Sequence, residues 1–287
     1  MGEVSIPRSV GLFAPLALLA ACATTPVDPP LSPGAHYVAL GSSYAAGANI
    51  PPLAPDRPAR CGASQASYSR LLTADLGLDL TDASCGGATI AHLLAGWDEL
   101  PAQVEAVNSA TRLVTVTIGG NDLNYMGLMF AASCHARNER ARLAEDCATV
   151  TLPTEDDYRA VEDRLTEALG AIRARAPHAR VVLVQYVTLV PDRPCQAADL
   201  LPADAQSLRI VAERLARASS NAAMRASVEV LPVDRLSQGH TACDAEPWAH
   251  GFGEGYDSAA GAPWHPSATG HAAIANALAK LLAAPAG

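Results

Sequence analysis

The chain has 287 residues, of which 49% are hydrophobic and 17% are charged, and its formal net charge is −9. The high apolar content excludes a disordered chain, and the length suffices for one large domain with a sizeable core. Because no basic block interrupts the acidic balance, nucleic acid is not an expected partner. The body of the chain has no apolar run of about 18 residues, so no internal membrane span is predicted.

The amino-terminal segment has the organisation of an export signal. Arg8 supplies a positive charge, and residues 10–20 form an apolar stretch that is too short to span a bilayer but suits a signal-peptide core. The stretch runs into the sequence LAAC, ending at Cys22, which resembles the bacterial lipobox. We therefore expect a signal peptide over 1–21 and a lipid anchor on Cys22 that holds the protein at the cell membrane. The alternative is an ordinary secretory signal, a chance cysteine and an extracellular protein.

The cysteines of the remaining chain agree with export. Residues 22–35 carry four prolines and predict an extended, lipidated tether that precedes a folded domain over 36–287. Six further cysteines are Cys61, Cys85, Cys134, Cys147, Cys195 and Cys243. An even number in an exported chain predicts three disulfides, and pairing of sequence neighbours is the simplest of the 15 possibilities. Metal binding is the weaker alternative, because the chain has no CxxC motif.

From residue 36 onward, strand-like and helix-like patterns alternate. In chain order, the predicted elements are a strand at 36–40, a helix at 67–76, a strand at 78–83, a helix at 101–108, a strand at 112–118, a helix at 154–175, a strand at 180–187, a helix at 203–225, a strand at 228–233 and a helix from His265-Pro266 to about Leu282. This alternation predicts parallel strands with crossover helices. The expected fold is an α/β protein, a flavodoxin-like three-layer α/β/α sandwich with a mainly parallel five-stranded sheet.

Ligand sites in such sheets lie beyond the carboxyl ends of the strands. Three segments that follow predicted strands are rich in glycine: GSSYAAG at 41–47, CGGA at 85–88 and GGND at 119–122. A fourth segment, WHP at 264–266, precedes the last helix. We expect these four segments to meet at one edge of the sheet.

The four segments contain the groups that acyl transfer needs. Ser43 lies on a tight turn between a strand and a helix, where a serine nucleophile can be exposed. Gly87 and Asn121 can supply a backbone N–H and a side-chain amide to a developing oxyanion. His265 can reach back over the sheet and serve as the base for Ser43. The turn lacks the GxSxG pattern, so the common α/β-hydrolase elbow is not indicated.

In this order the segments resemble the four blocks of the SGNH, or GDSL-type, hydrolases. The resemblance implies that Ser43 is the nucleophile, that Ser43, Gly87 and Asn121 form the oxyanion hole, and that His265 is the base. The six cysteines are similar to those of the secreted actinobacterial esterase and lipase branch. That similarity implies three consecutive disulfides, which are Cys61–Cys85, Cys134–Cys147 and Cys195–Cys243. It also implies a serine ester hydrolase that cleaves lipid or small acyl esters through an acyl-enzyme. We expect a monomer that uses neither a metal nor a cofactor.

Two positions depart from the family pattern. The family usually has aspartate before the nucleophile, where this chain has Ser42. It also often has aspartate three residues before the histidine, where this chain has Ala262. In the similar actinobacterial branch a backbone carbonyl at this place orients the imidazole. The resemblance therefore implies a Ser-His dyad in which the Ala262 backbone carbonyl orients His265, with Asp257 as the rival orienting group.

Two other functions fit the same residues. The fold also supports O-deacetylation of an envelope glycan. A surface lipoprotein that binds a lipid or a glycan without catalysis is the third possibility. Serine-dependent turnover of model esters would reject the binding lipoprotein, and activity on a glycan alone would favour the deacetylase.

Overall fold

A computed structural model describes residues 1–3, 31–143 and 146–284. Apart from residues 1–3, the predicted signal peptide lies outside the described residues, as do the lipobox-like sequence with Cys22 and most of the predicted proline-rich tether. At the carboxyl end of the tether, the Gly34 N–H donates to the Gly77 carbonyl at 2.7 Å, so this end contacts the folded domain. No helix among the described residues combines the length and the apolar character needed to cross a bilayer.

The core of the structure is a five-stranded sheet with the order β2-β1-β3-β4-β5. The strands are β1 His36–Gly41, β2 Asp79–Asp82, β3 Thr111–Thr117, β4 Arg180–Val184 and β5 Glu229–Leu231. Every neighbouring pair is parallel. The central strands are buried nearly throughout, as parallel strands covered on both faces must be. This order is the flavodoxin-like one that the sequence predicted.

Helices cover both faces of the sheet. They are α1 Ser43–Ala46, α2 Tyr68–Leu76, α3 Ala91–Leu94, α4 Tyr125–Ala141, α5 Glu155–Arg175, α6 Pro202–Arg225, α7 Val233–Leu236 and α8 Ala268–Ala283. One apolar core joins Tyr37 of β1 to α2, α4 and α8, and the other joins Val38 of β1 to α5 and the carboxyl-terminal half of α6. Because successive side chains of a strand point to opposite faces, these two cores form the two outer interfaces of a three-layer sandwich.

Three predicted elements differ from the structure. The helix predicted at 101–108 is only a 3₁₀ turn over Gln103–Ala106. The strand predicted to end at residue 187 ends at Val184. The last helix begins at Ala268 instead of His265, because the Ser267 side chain accepts from the Gly270 N–H and caps the helix there. His265 therefore lies in the preceding loop.

All six cysteines of the domain are paired as sequence neighbours, which confirms the predicted connectivity. The bridges are Cys61–Cys85, Cys134–Cys147 and Cys195–Cys243. Next to the first bridge, the Gly86 N–H donates to the Cys61 carbonyl at 3.0 Å, which fixes the start of a glycine-rich segment. Because disulfides persist in oxidising compartments, three of them indicate an exported chain.

Candidate active site

The turn after β1 brings Ser43 to the carboxyl edge of the sheet. Gly41 has φ +135°, and a Cβ on it would lie 2.3 Å from the Thr117 carbonyl oxygen of β3, so this position requires glycine. The next residue, Ser42, donates its N–H to that same carbonyl at 2.9 Å. Ser43 then opens the four-residue helix α1, which ends at Gly47 in the left-handed region. The Ser43 side chain is half-buried at this edge.

His265 lies directly against this serine. Its Nε2 is 2.9 Å from Ser43 Oγ, and its Nδ1 is 2.7 Å from the Pro263 carbonyl oxygen. A carbonyl oxygen can only accept, so Nδ1 carries the proton of the neutral ring and Nε2 presents its lone pair to the serine hydroxyl. The histidine is therefore held in the tautomer that can accept a proton from Ser43.

Burial favours the neutral ring. His265 is 7% exposed, and this burial lowers its pKa to about 4, although the Pro263 carbonyl acts in the opposite direction. The nearby His250 lowers the pKa further. At neutral pH the ring is an unprotonated base.

The orienting carbonyl belongs to Pro263, so the expectation that Ala262 orients His265 is wrong. The Ala262 N–H is bound to the Ala48 carbonyl at 2.9 Å, and the chain then turns at Trp264, which has φ +57°. This turn presents the carbonyl one residue nearer to the imidazole. The rival Asp257 is exposed and caps a 3₁₀ turn by accepting from the Ala259 N–H.

The loop that carries His265 is anchored from the serine side of the site. The Tyr44 hydroxyl donates to the Trp264 carbonyl, and the Trp264 indole N–H donates to Ser133 Oγ at 3.0 Å. Trp264 is fully buried, so it packs in the core. The residue after Ser43 and the residue before His265 are thus tied together.

The other two glycine-rich segments contact each other, and the Cys85 N–H of the first of them donates to the Gly41 carbonyl at 3.0 Å. Asn121 Nδ2 donates to the Ala88 carbonyl at 2.9 Å, and the Asp122 carboxylate accepts from the Ile90 N–H at 3.0 Å. These contacts hold the turn after β3 against the segment that contains Gly87. Gly87 is exposed and has φ +82°, a conformation that favours glycine.

Three N–H donors remain available at this edge. Among the described residues, neither the Ser43 backbone N–H nor the Gly87 backbone N–H has a hydrogen-bond partner. Asn121 Nδ2 uses one of its two hydrogens on Ala88 and keeps the second. A hydroxyl beside a neutral imidazole, with free N–H donors at the same edge of the sheet, is equipped for acyl transfer.

Two residues that support the site were missed by the sequence analysis. The Gln103 amide binds Gly41 at both backbone groups, accepting from its N–H at 2.7 Å and donating to its carbonyl at 3.0 Å. The Tyr186 hydroxyl accepts from the Gly120 N–H at 2.9 Å. Gln103 lies in the segment predicted as a helix. Tyr186 could have been identified as a site residue from its position at the carboxyl end of a predicted strand.

A cavity lies next to Tyr186. Tyr186 lines a cavity of about 500 Å³ formed by the segment 187–193, helix α6 and the segment 234–244. Within the described ranges, histidine, cysteine, aspartate and glutamate side chains nowhere gather in a group of three or more that could hold a metal ion.

The sandwich fold and the serine-histidine pair at its carboxyl edge define the class of the α/β serine hydrolases. Within that class, the chain belongs to the GDSL-like Lipase/Acylhydrolase family, whose model matches residues 39–273. Lipase 2 of Streptomyces coelicolor is 32% identical over 253 residues, which cover 85% of this chain and 84% of that lipase. The chain is thus a serine ester hydrolase, and the resemblance found in the four segments is confirmed.

Solved structures agree on the fold. The extracellular lipase of Streptomyces rimosus superposes with a TM-score of 0.67 at 26% identity, covering 85% of this chain and 99% of that one. Phospholipase A1 of Streptomyces albidoflavus superposes with a TM-score of 0.68 at 23% identity, covering 85% and 98%. The second likeness concerns the fold alone.

Proposed function

We propose that the protein hydrolyses carboxylic esters in two steps through an acyl-enzyme, with Ser43 as the nucleophile and His265 as the general base. One observation carries the proposal. The 2.9 Å contact joins Ser43 Oγ to the Nε2 of a buried histidine whose other nitrogen is held by a backbone carbonyl. A carbonyl replaces the usual carboxylate, so the pair is a dyad.

In the first step, Ser43 Oγ attacks the ester carbonyl carbon while its proton moves to His265 Nε2. The tetrahedral intermediate collapses as the imidazolium gives that proton to the departing alcohol oxygen, which leaves the acyl group on Ser43. In the second step, His265 takes a proton from water, and the hydroxide attacks the acyl-enzyme. Collapse then releases the carboxylic acid and returns the proton to Ser43.

The oxyanion of each intermediate is held by three groups. They are the backbone N–H of Ser43, the backbone N–H of Gly87 and the free hydrogen of Asn121 Nδ2. These donors are fixed before reaction by the backbone of two tight turns and by the Asn121 contact to Ala88, so they do not need to reorganise as charge develops.

The substrates are lipid or short-chain acyl esters. Support comes from the relatives, which are named lipase and esterase. The enzyme acts as a monomer outside the cytoplasm, and the lipobox-like sequence supports a lipid anchor on Cys22 that keeps it at the cell membrane.

The test is turnover of p-nitrophenyl acetate, butyrate and palmitate by the full chain and by Ser43→Ala. Loss of turnover in the variant is expected, while Ser207→Ala keeps wild-type turnover, because Ser207 is only partly buried on α6 and its hydroxyl donates only to the Ala203 carbonyl. Full turnover in Ser43→Ala would refute the mechanism. Turnover limited to an acetylated glycan would indicate the deacetylase, and no turnover of any ester would indicate a binding lipoprotein.

A further inference from the structure

We propose that Tyr186 is a positioning residue that holds the turn carrying Asn121 in register with the turn carrying Ser43. The proposal rests on the function proposed above. Tyr186 follows β4, the neighbour of β3 in the sheet. Its hydroxyl oxygen lies 2.9 Å from the Gly120 backbone nitrogen and 3.4 Å from Ser42 Oγ. These contacts join the residue before Asn121 to the residue before Ser43.

The hydrogens of this bridge have one consistent direction. The Gly120 N–H can only donate, so the Tyr186 oxygen accepts from it. The Ser42 hydroxyl donates to the Thr117 carbonyl at 3.5 Å, which leaves Ser42 Oγ to accept from the Tyr186 O–H. Burial raises the pKa of Tyr186 to about 12, so its hydroxyl keeps its proton at neutral pH. The bridge ends at Thr117, the last residue of β3.

Gly120 supports this role independently. It has φ −64° and ψ −38°, a conformation open to any residue, so its backbone does not explain why it is glycine. A Cβ at this position would lie 2.9 Å from ring and hydroxyl atoms of Tyr186. The ring cannot easily retreat, because its centroid lies 4.4 Å from that of Tyr44. The missing side chain is what lets Tyr186 approach the turn.

The consequence concerns the transition state more than substrate binding. An oxyanion donor contributes when it is held at the place where charge develops. Removal of the Tyr186 hydroxyl leaves the Gly120 N–H without its acceptor and loosens Asn121 relative to Ser43. It changes neither of these side chains. The expected result is a lower kcat with little change in KM.

Tyr186→Phe removes the hydroxyl and keeps the ring. We expect kcat to fall about 10-fold while KM stays within about twofold, and the affinity for a boronic acid that mimics the tetrahedral intermediate to fall by the same factor as kcat. The matched control is Tyr125→Phe, because Tyr125 is buried, its N–H donates to the Gly120 carbonyl, and its hydroxyl has no partner among the described residues. This variant should keep the wild-type kcat.

A double-mutant cycle tests the route of the effect. If Tyr186 acts by placing Asn121, Tyr186→Phe should cause no further loss in an Asn121→Ala background. Additive losses, or a wild-type kcat in Tyr186→Phe, would overturn the proposal. Should the variant fail to fold, hydrogen exchange of the wild-type Gly120 amide decides, since slow exchange supports the bridge and unprotected exchange refutes it. Ser43→Ala is measured first, so failure of the hydrolase mechanism itself is seen separately.

Discussion

Acid sensitivity is built into the core by two buried histidines. His271 on α8 is fully buried, and its Nδ1 accepts from the N–H of Tyr68, the first residue of α2, at 3.1 Å. Burial lowers its pKa to about 3, and burial lowers that of His265 to about 4, both from an ordinary value of 6.5. Below about pH 6.5, the unfolded chain therefore binds protons on these histidines that the folded protein does not bind. The free energy of unfolding falls as the pH decreases through this range.

The magnitude follows from the two shifts. Each histidine lowers the free energy of unfolding by about 1.4 kcal/mol per pH unit below 6.5. Between pH 7.5 and pH 5, each therefore lowers it by about 2 kcal/mol. In His271→Asn, the side-chain oxygen can accept from the Tyr68 N–H and does not titrate. We expect this variant to lose about 2 kcal/mol less than the wild type over the same interval.

The assay is urea unfolding at the two pH values with the disulfides intact. Comparison with the wild type cancels the contributions of the carboxylates, and His178→Asn is the control, because His178 is exposed in the folded protein. It should keep the full pH dependence of the wild type. The reasoning would be refuted if His271→Asn lost as much stability as the wild type between the two pH values.

Three further predictions concern catalysis. The acid limb of kcat/KM should have its midpoint near pH 4, because burial lowers the pKa of the free His265 to about 4; a midpoint near 6.5 would contradict the buried base. Asp257→Asn should keep kcat within about twofold of the wild-type value, since the Pro263 carbonyl orients the ring. A loss near 10⁴-fold would instead indicate a Ser-His-Asp triad. Asn121→Ala should lower kcat about 10²–10³-fold in steady-state assays, and an unchanged kcat would remove Asn121 from the oxyanion hole.

Much of this architecture was accessible from pattern alone. The β-branched run over 112–118 predicts a central strand because a strand covered on both faces needs continuous apolar residues. The helix predicted at 154–175 is observed over Glu155–Arg175, where the Thr154 side chain accepts from the Asp157 N–H within a capping box. Because parallel strands end at one edge, the sequence alone places the glycine-rich segments that follow them at that edge.

The sequence pattern does not predict features that depend on a single backbone angle or on contacts between residues distant in sequence. Which carbonyl faces His265 is decided by the positive φ of Trp264, a conformation unusual for a bulky residue. The contact of Tyr186 with Gly120 spans 66 positions of sequence. The prediction of a helix at 101–108 was wrong: the segment forms a 3₁₀ turn, and its Gln103 amide binds the backbone of Gly41, a contact that a local pattern cannot indicate.

The most direct test is to locate the acyl group on the enzyme. The protein is mixed with p-nitrophenyl acetate, quenched in acid and digested, and the peptides are analysed by mass spectrometry. One acetyl group is expected on Ser43, none on that peptide in Ser43→Ala, and much slower labelling in His265→Ala. Turnover without acetylation of Ser43 would contradict the account, and so would rapid labelling of Ser43 in His265→Ala.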